Sequence, residues 1–305
     1  MPGVVVFAYS ELGTRCLELL IRRGVDVRAL YTHEDDPAER RWFRTPAEIA
    51  RGAGIPVRTP DLVGGPAGQP EVVTEIAALA PDIIFSFYYR RMIPMAILRA
   101  ARLGAFNIHG SLLPRYRGRA PVNWAVLAGE RETGATLHHM VGRADAGDIV
   151  DQAAVAIGPD ETAHDVMTRV TEAAVELLAR NLDAILAGTA PRRAQDESRA
   201  TVVRGRRPED GRIDWSWPAR RVHDLVRAVA EPYPGAFTDV GGRRLFVWRT
   251  RPVDKAGSAG TVLATAPLTI ACGDGRAVEI LRWQWADDAI HEDAAHGLEF
   301  GDRLG

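Results

Sequence analysis

The sequence predicts an α/β fold: a Rossmann-like, mostly parallel sheet followed by a smaller C-terminal domain of β-barrel-like, OB-like form. Three observations predict it. Apolar strand-like runs alternate with helical patterns through the first hundred residues, the period shifts to two-residue alternation near Ala135, and beyond residue 205 short strand-like runs separated by Gly-rich turns take over. The chain has 305 residues, room for two domains on the usual prior of about 150 residues each. The boundary follows a polar Pro/Arg/Asp-rich stretch, Thr189–Arg199, which reads as a surface connection, so the domains are expected at 1–205 and 206–305.

Each element has its own signal. Val4–Ala8 is an unbroken apolar run, as a strand buried on both faces requires. Leu12, Cys16, Leu19 and Leu20 then recur at helical spacing until Gly24, a residue suited to ending helices. Val25–Tyr31 follows as a second strand and closes a β-α-β unit. The alternation repeats at Ala47–Gly52 with Val57, at Val72–Leu79 with Ile83–Phe87, and at Ile93–Ala101 with Ala105–Ile108. Thr136, His138 and Met140 mark an alternating strand, Ala144–Gly147 a turn, and Ile149–Ile157 the returning strand. Within the first of these, His138 and His139 are adjacent, so their rings point to opposite faces. A long helix is predicted over Thr162–Ala187, with Val166, Val170, Leu177, Leu178, Leu182 and Ile185 on one face and Gly188 beyond it. The C-terminal part reads as one helix, Ala219–Val229, and strands at Ala236–Val240, Arg244–Trp248, Gly260–Ala264, Leu268–Cys272 and Val278–Trp283.

Composition narrows the function. Hydrophobic residues at 46% and charged residues at 26% fit a globular chain and exclude disordered and fibrous classes. No apolar run approaches the roughly 20 residues of a bilayer span, and no basic segment precedes the apolar stretch at the N-terminus, so a cytoplasmic protein without membrane association is expected. Cys16 and Cys272 lie far apart in apolar contexts and read as buried core residues. Lys255 is the sole lysine and sits in a loop-like context, which disfavours Schiff-base chemistry and Walker A loops. The turn Ala8-Tyr9-Ser10-Glu11-Leu12-Gly13 lacks the three-glycine fingerprint, which disfavours NAD. Net charge is −2, and residues 206–305 hold 14 basic and 15 acidic groups. Phosphate neutralisation needs a local positive excess, so nucleic acid is a disfavoured partner. His291 and His296 fit no metal-ligand spacing, and no metal is expected.

The informative segment is Asn107-Ile108-His109-Gly110-Ser111-Leu112-Leu113-Pro114-Arg115-Tyr116-Arg117-Gly118-Arg119. Two residues apart at the end of an apolar strand, Asn107 and His109 project from one face. Gly110, Pro114 and Gly118 break regular structure directly afterwards, which puts the pair at the strand's carboxyl end, where open α/β sheets bind ligands. An isolated Asn-x-His more often marks a core histidine and a loop hydrogen-bonder. The longer pattern, with Arg143-Ala144-Asp145-Ala146-Gly147-Asp148 downstream, resembles the signature of the folate-dependent formyltransferases.

That resemblance implies an N-formyltransferase with 10-formyltetrahydrofolate as cosubstrate and Asn107, His109 and Asp145 as catalytic residues. An amine attacking a formyl carbonyl passes through a tetrahedral oxyanion; Asn107 supplies a donor of the kind worth about 3–4 kcal/mol. His109 moves the amine proton and Asp145 orients the ring. By the same resemblance the folate contacts Arg91, Met92 and Ile93, the stretch Val141, Gly142, Arg143, Ala144 and Asp145, and Arg119. Arg115, Arg117 and Arg119 are spaced to offer guanidinium donors to a carboxylate or diphosphate, although solvated loop charges fit Arg115 and Arg117 as well. Tyr88 and Tyr89 suit stacking on a flat ring or a place in the core.

The acceptor follows from finer likenesses. Arg227-Ala228-Val229-Ala230-Glu231-Pro232-Tyr233-Pro234-Gly235-Ala236-Phe237 resembles a segment shared by methionyl-tRNA and sugar-nucleotide formyltransferases. The loop from Thr32 opens on acidic residues, Glu34, Asp35 and Asp36, where tRNA-type members are basic. Phe85–Arg90, His109–Pro121 and Ile270–Gly275 resemble the branch that formylates UDP-4-amino-4-deoxy-L-arabinose, which implies a nucleotide-sugar substrate and a place in lipid A modification. Methionyl-tRNA and other nucleotide-linked amino sugars are the alternative acceptors.

Overall fold

The computed structural model describes residues 1–34, 41–60, 69–286, 288–292 and 297–304. Of the sequence features above, the acidic residues Asp35 and Asp36 and His296 lie outside the described residues. The chain opens with β1 (Gly3–Ala8), α1 (Ser10–Arg22), β2 (Asp26–Tyr31), α2 (Pro46–Gly52), β3 (Val57–Arg58), α3 (Pro70–Ala78), β4 (Ile83–Phe87), α4 (Met95–Leu98) and β5 (Gly104–His109). It continues with β6 (Arg117–Gly118), α5 (Pro121–Leu127), β7 (Glu132–His139), β8 (Ile149–Ala156), α6 (Ala163–Leu186) and β9 (Val202–Val203). The last stretch holds α7 (Ala219–Val229), β10 (Ala236–Val240), β11 (Arg243–Val253), β12 (Val262–Thr265), β13 (Leu268–Ala271) and β14 (Ala277–Trp285). Among the described residues no helix is long and apolar enough to cross a membrane.

Two compact units divide the chain. The first comprises Met1–Gly118, Thr133–Val155 and Thr168–Val203; the second comprises Arg119–Glu132, Ala156–Met167 and Arg204–Gly305. The first unit carries a sheet of order β3-β2-β1-β4-β5-β7-β8, parallel from β3 to β5, with β7 antiparallel to β5. Every residue of β1 and β4 is buried, which explains why both read as unbroken apolar runs. The chain leaves β1 for β2 on one side, while β4 lies on the other, so the strand order reverses beside β1. Phe7, Tyr31, Ile76, Ile84, Ile97 and Leu98 pack one core of this unit. In the second unit the sheet is antiparallel, ordered β10-β11-β14-β13-β12, with α7 placed before it in the chain.

Some elements differ from expectation: α5 has no counterpart in the sequence pattern, and β11 runs past the expected Trp248 to Val253. The helix predicted over Ile93–Ala101 contracts to Met95–Leu98, because Pro94 occupies the N-cap and the following N–H groups close tight turns, Ala100 onto Ile97 and Ala101 onto Leu98. Within the polar connection after α6, Arg193 forms a bridge with Ile149, and β9 pairs in parallel with β6. Pairings so short leave no periodicity to read.

Candidate active site

Strand β5 sets the first two positions. Asn107 and His109 leave the same face, and the antiparallel register of β5 on β7 pairs Asn107 with His138. Asp145, on the turn between β7 and β8, comes back to meet them. Its Oδ1 lies 3.6 Å from His109 Nδ1, 3.6 Å from His138 Nε2 and 3.4 Å from the Asn107 amide nitrogen. Its Oδ2 accepts the Gly118 backbone N–H at 2.9 Å. The cluster is largely enclosed: the His109 side chain is 7% exposed and that of Asp145 14%.

Proton positions follow from the partners. His109 Nε2 lies 2.8 Å from the Tyr116 carbonyl oxygen, which can only accept, so Nε2 carries a hydrogen. In the neutral ring Nδ1 then holds the lone pair, facing the carboxylate. His138 Nδ1 likewise donates to the His139 carbonyl at 2.8 Å, and its Nε2 accepts from the Asn107 amide at 3.0 Å. Burial alone would raise the Asp145 carboxyl; the charge of His109 and the hydrogen bond and charge of His138, both supplied when those rings are protonated, together with the Gly118 N–H outweigh it and hold the group well below the usual carboxylate range.

Local backbone chemistry brings Asp145 there. Its φ is +51°, in the left-handed region that Asp tolerates better than most residues. Gly147 lies so close to the His139 carbonyl that a methyl group would collide with it. Gly118, at φ +107°, faces the Val203 carbonyl with no room for a side chain. These approaches give the Gly-rich turn and the Tyr-Arg-Gly run a physical meaning that spacing alone did not show.

The residues expected around folate are spread more widely. Arg91 and Met92 are exposed on the loop before α4, whereas Ile93 is buried in the core. Val141, Gly142, Arg143 and Ala144 are exposed; a Cβ at Gly142 would stand 3.4 Å from Met95 Cγ, so this loop abuts α4 just after the first stretch. Arg143 pairs with Glu197 at 2.6 Å. Arg119 is exposed and belongs to the second unit. Arg115 lies over the Tyr116 ring at 5.3 Å. Arg117 is no solvated loop charge: its side chain is 4% exposed and bonds Gln195 and Glu197. Tyr89 takes a packing role, stacked on His33 at 4.2 Å and edge-on to Phe7 at 5.2 Å. His33 Nε2 accepts the Arg90 backbone N–H at 3.0 Å. Burial first, then the charges of Arg91 and Arg90, push its imidazole down to about 4.

Sequence reasoning missed His138 and Gln195. The opposite-face expectation for His138 and His139 holds, since His139 packs on Phe106 at 4.7 Å and donates to the Pro191 carbonyl at 3.0 Å. Which of the two faces the site depends on the cross-strand register, which a single strand does not encode.

Fold and site together define an α/β protein with an amide, two imidazoles and a carboxylate gathered beside the edge of its parallel strands. The chain belongs to the formyl transferase family: residues 5–182 match Formyl transferase and residues 206–294 match Formyl transferase, C-terminal domain. Among solved structures, it resembles WlaRD, a sugar 3N-formyl transferase studied with dTDP and 5-N-formyl-THF, at 18% identity over 95% of this chain and 99% of that one, TM-score 0.71. An N-formyltransferase from Helicobacter canadensis, in complex with folinic acid and dTDP-3-aminofucose, matches at 17% identity over 92% and 99%, TM-score 0.69. HypX from Aquifex aeolicus, in complex with tetrahydrofolic acid, matches at 21% identity over 99% of this chain but 50% of its own, TM-score 0.65. At these identities the likeness is one of fold.

Proposed function

We propose that this chain transfers the formyl group of 10-formyltetrahydrofolate to the amine of a nucleotide-linked amino sugar, with UDP-4-amino-4-deoxy-L-arabinose as the acceptor. The carrying observation is the convergence of Asn107, His109 and Asp145 within hydrogen-bonding or near-contact range. Formyl transfer needs a donor for the developing oxyanion and a group that removes the amine proton. The Asn107 amide supplies the first by turning towards the oxyanion the N–H that otherwise lies at 3.4 Å from Asp145 Oδ1. His109 supplies the second at Nδ1, because Nε2 is committed to the Tyr116 carbonyl. A proton arriving on Nδ1 meets the Asp145 carboxylate, which stabilises the imidazolium until the proton passes to the departing folate nitrogen.

The loops beside the cluster fit a flat, partly apolar cosubstrate. Among the described residues, Met92 and Val141 are two of the few large apolar side chains left exposed, at 55% and 42%, and they stand on the two loops that meet at α4. The solved structures with dTDP or dTDP-3-aminofucose and with 5-N-formyl-THF or folinic acid support the substrate class, and residues 206–305 lack the basic excess an RNA acceptor would require.

The test is an incubation with 10-formyltetrahydrofolate and a panel of UDP-amino sugars, dTDP-amino sugars and charged methionyl-tRNA, read by mass for the added carbonyl. UDP-4-amino-4-deoxy-L-arabinose is expected to be formylated and the His109→Ala variant to lose turnover. Formylation of methionyl-tRNA alone, or none of any acceptor, would overturn the reading.

A further inference from the structure

We propose that Gln195 is the positioning residue for Asp145, fastening the turn that carries this carboxylate to the same short segment that orients His109. The inference rests on the catalytic reading of Asp145 above. Composition marks Thr189–Arg199 as a surface connection, yet Arg193 pairs with Ile149 through two backbone hydrogen bonds of 2.8 and 2.9 Å. Continuing that antiparallel register by two residues brings Gln195 opposite Gly147. There the side chain replaces the ladder: Nε2 donates to the Asp145 carbonyl at 2.8 Å and to the Gly147 carbonyl at 2.7 Å. Its Oε1 accepts from Arg117 Nε at 3.1 Å and Nη2 at 2.7 Å. The amide orientation is forced, because carbonyls only accept and guanidinium only donates.

Residues 116–118 complete the fastening. The Tyr116 carbonyl holds His109 Nε2, the Arg117 guanidinium holds Gln195, and the Gly118 N–H holds Asp145 Oδ2. This segment is in turn anchored from β9 and its approach: Tyr116 N–H donates to Thr201 Oγ1 at 2.7 Å and Arg117 N–H to the Thr201 carbonyl at 2.9 Å. Both halves of the imidazole–carboxylate pair therefore hang from three consecutive residues. Without Gln195 the left-handed backbone at Asp145 loses the donor that holds its carbonyl, and the carboxylate drifts from the two imidazoles.

The deciding variant is Gln195→Met, close in volume and without donors. The expected result is a folded protein whose kcat falls on the order of 10- to 100-fold, the scale of losses from misplacing a catalytic group, with KM for both substrates near wild type. The Asp145 carboxyl, followed by carbon-13 NMR, titrates at higher pH than in wild type. Unchanged kcat and an unchanged Asp145 titration in the folded variant overturn the proposal. Should Gln195→Met fail to fold, Gln195→Glu keeps an acceptor for Arg117 while removing both donors, and the same two readouts decide. If the wild type formylates no acceptor, the catalytic reading falls, while the Asp145 titration still reports whether Gln195 places the carboxylate.

Discussion

At the scale of single residues, Asp145 shows why an acid group can remain charged in a nearly closed site. Two imidazoles and a backbone N–H face it, and their sum exceeds the cost of burial. A depressed carboxyl means that the folded state binds fewer protons than the unfolded one below the ordinary value of 3.8. Its contribution to stability is thus fully present above that pH and lost as pH falls through the folded value. Asp145→Asn is expected to lower the urea midpoint at pH 7, with a gap that narrows on acidification below about pH 4. A gap independent of pH would show that shape, rather than charge, holds the turn. Asn107 and His109 were legible because strand alternation and the following turn residues report a shared face. His138 was not, since its place depends on pairing with Asn107 across antiparallel strands that β6 and α5 separate in the chain, a register set by tertiary contacts.

At the scale of elements, most helices and strands followed from periodicity, while the two-residue strands β6 and β9 are shorter than any period, and α5 and the far half of β11 went unread. The pairing of β6 with β9 is two residues deep, yet it holds the segment that touches His109 and Asp145. The loop from Tyr88 to Pro94 is organised differently, by ring contacts and by the His33 acceptor on the Arg90 N–H. A neutral imidazole is needed for that bond. Because the folded His33 binds its proton only near pH 4, against an ordinary 6.5, the folded state holds fewer protons than the unfolded one across that window, and stability falls as pH drops through it. His33→Gln keeps an acceptor and removes the titration. The variant is expected to lose less stability than wild type between pH 6.5 and pH 4 in thermal melts; parallel losses would place the acid sensitivity elsewhere.

At the scale of the whole molecule, the second unit gathers three separate stretches, and two of them, Arg119–Glu132 and Ala156–Met167, carry no change of composition that would announce it. What binds them is buried charge on α7. Arg227, 3% exposed, pairs with Asp224 at 2.7 Å and donates to the carbonyls of Val126, Glu161 and Gly158. His223 reaches the Pro159 carbonyl at 3.2 Å and Thr250 Oγ1 at 3.0 Å, while the Asn123 amide donates to the Ala228 carbonyl at 2.8 Å. Helix α7 therefore joins its sheet to both inserted stretches through polar contacts whose partners lie about a hundred positions away in the case of α5, beyond the reach of local pattern. Removing one member of a buried pair leaves the other without its countercharge, which costs about 3–5 kcal/mol. Asp224→Ala strips Arg227 of its carboxylate and also removes the partner of Arg220 at 3.1 Å. Six of the seven tryptophans, all but Trp42, lie in this unit, so tryptophan emission follows its unfolding. The expected outcome is a urea midpoint in the emission trace lowered by an amount matching that energy. If emission shows wild-type stability while circular dichroism shows a loss, the ion pair supports a different part of the chain than its contacts indicate.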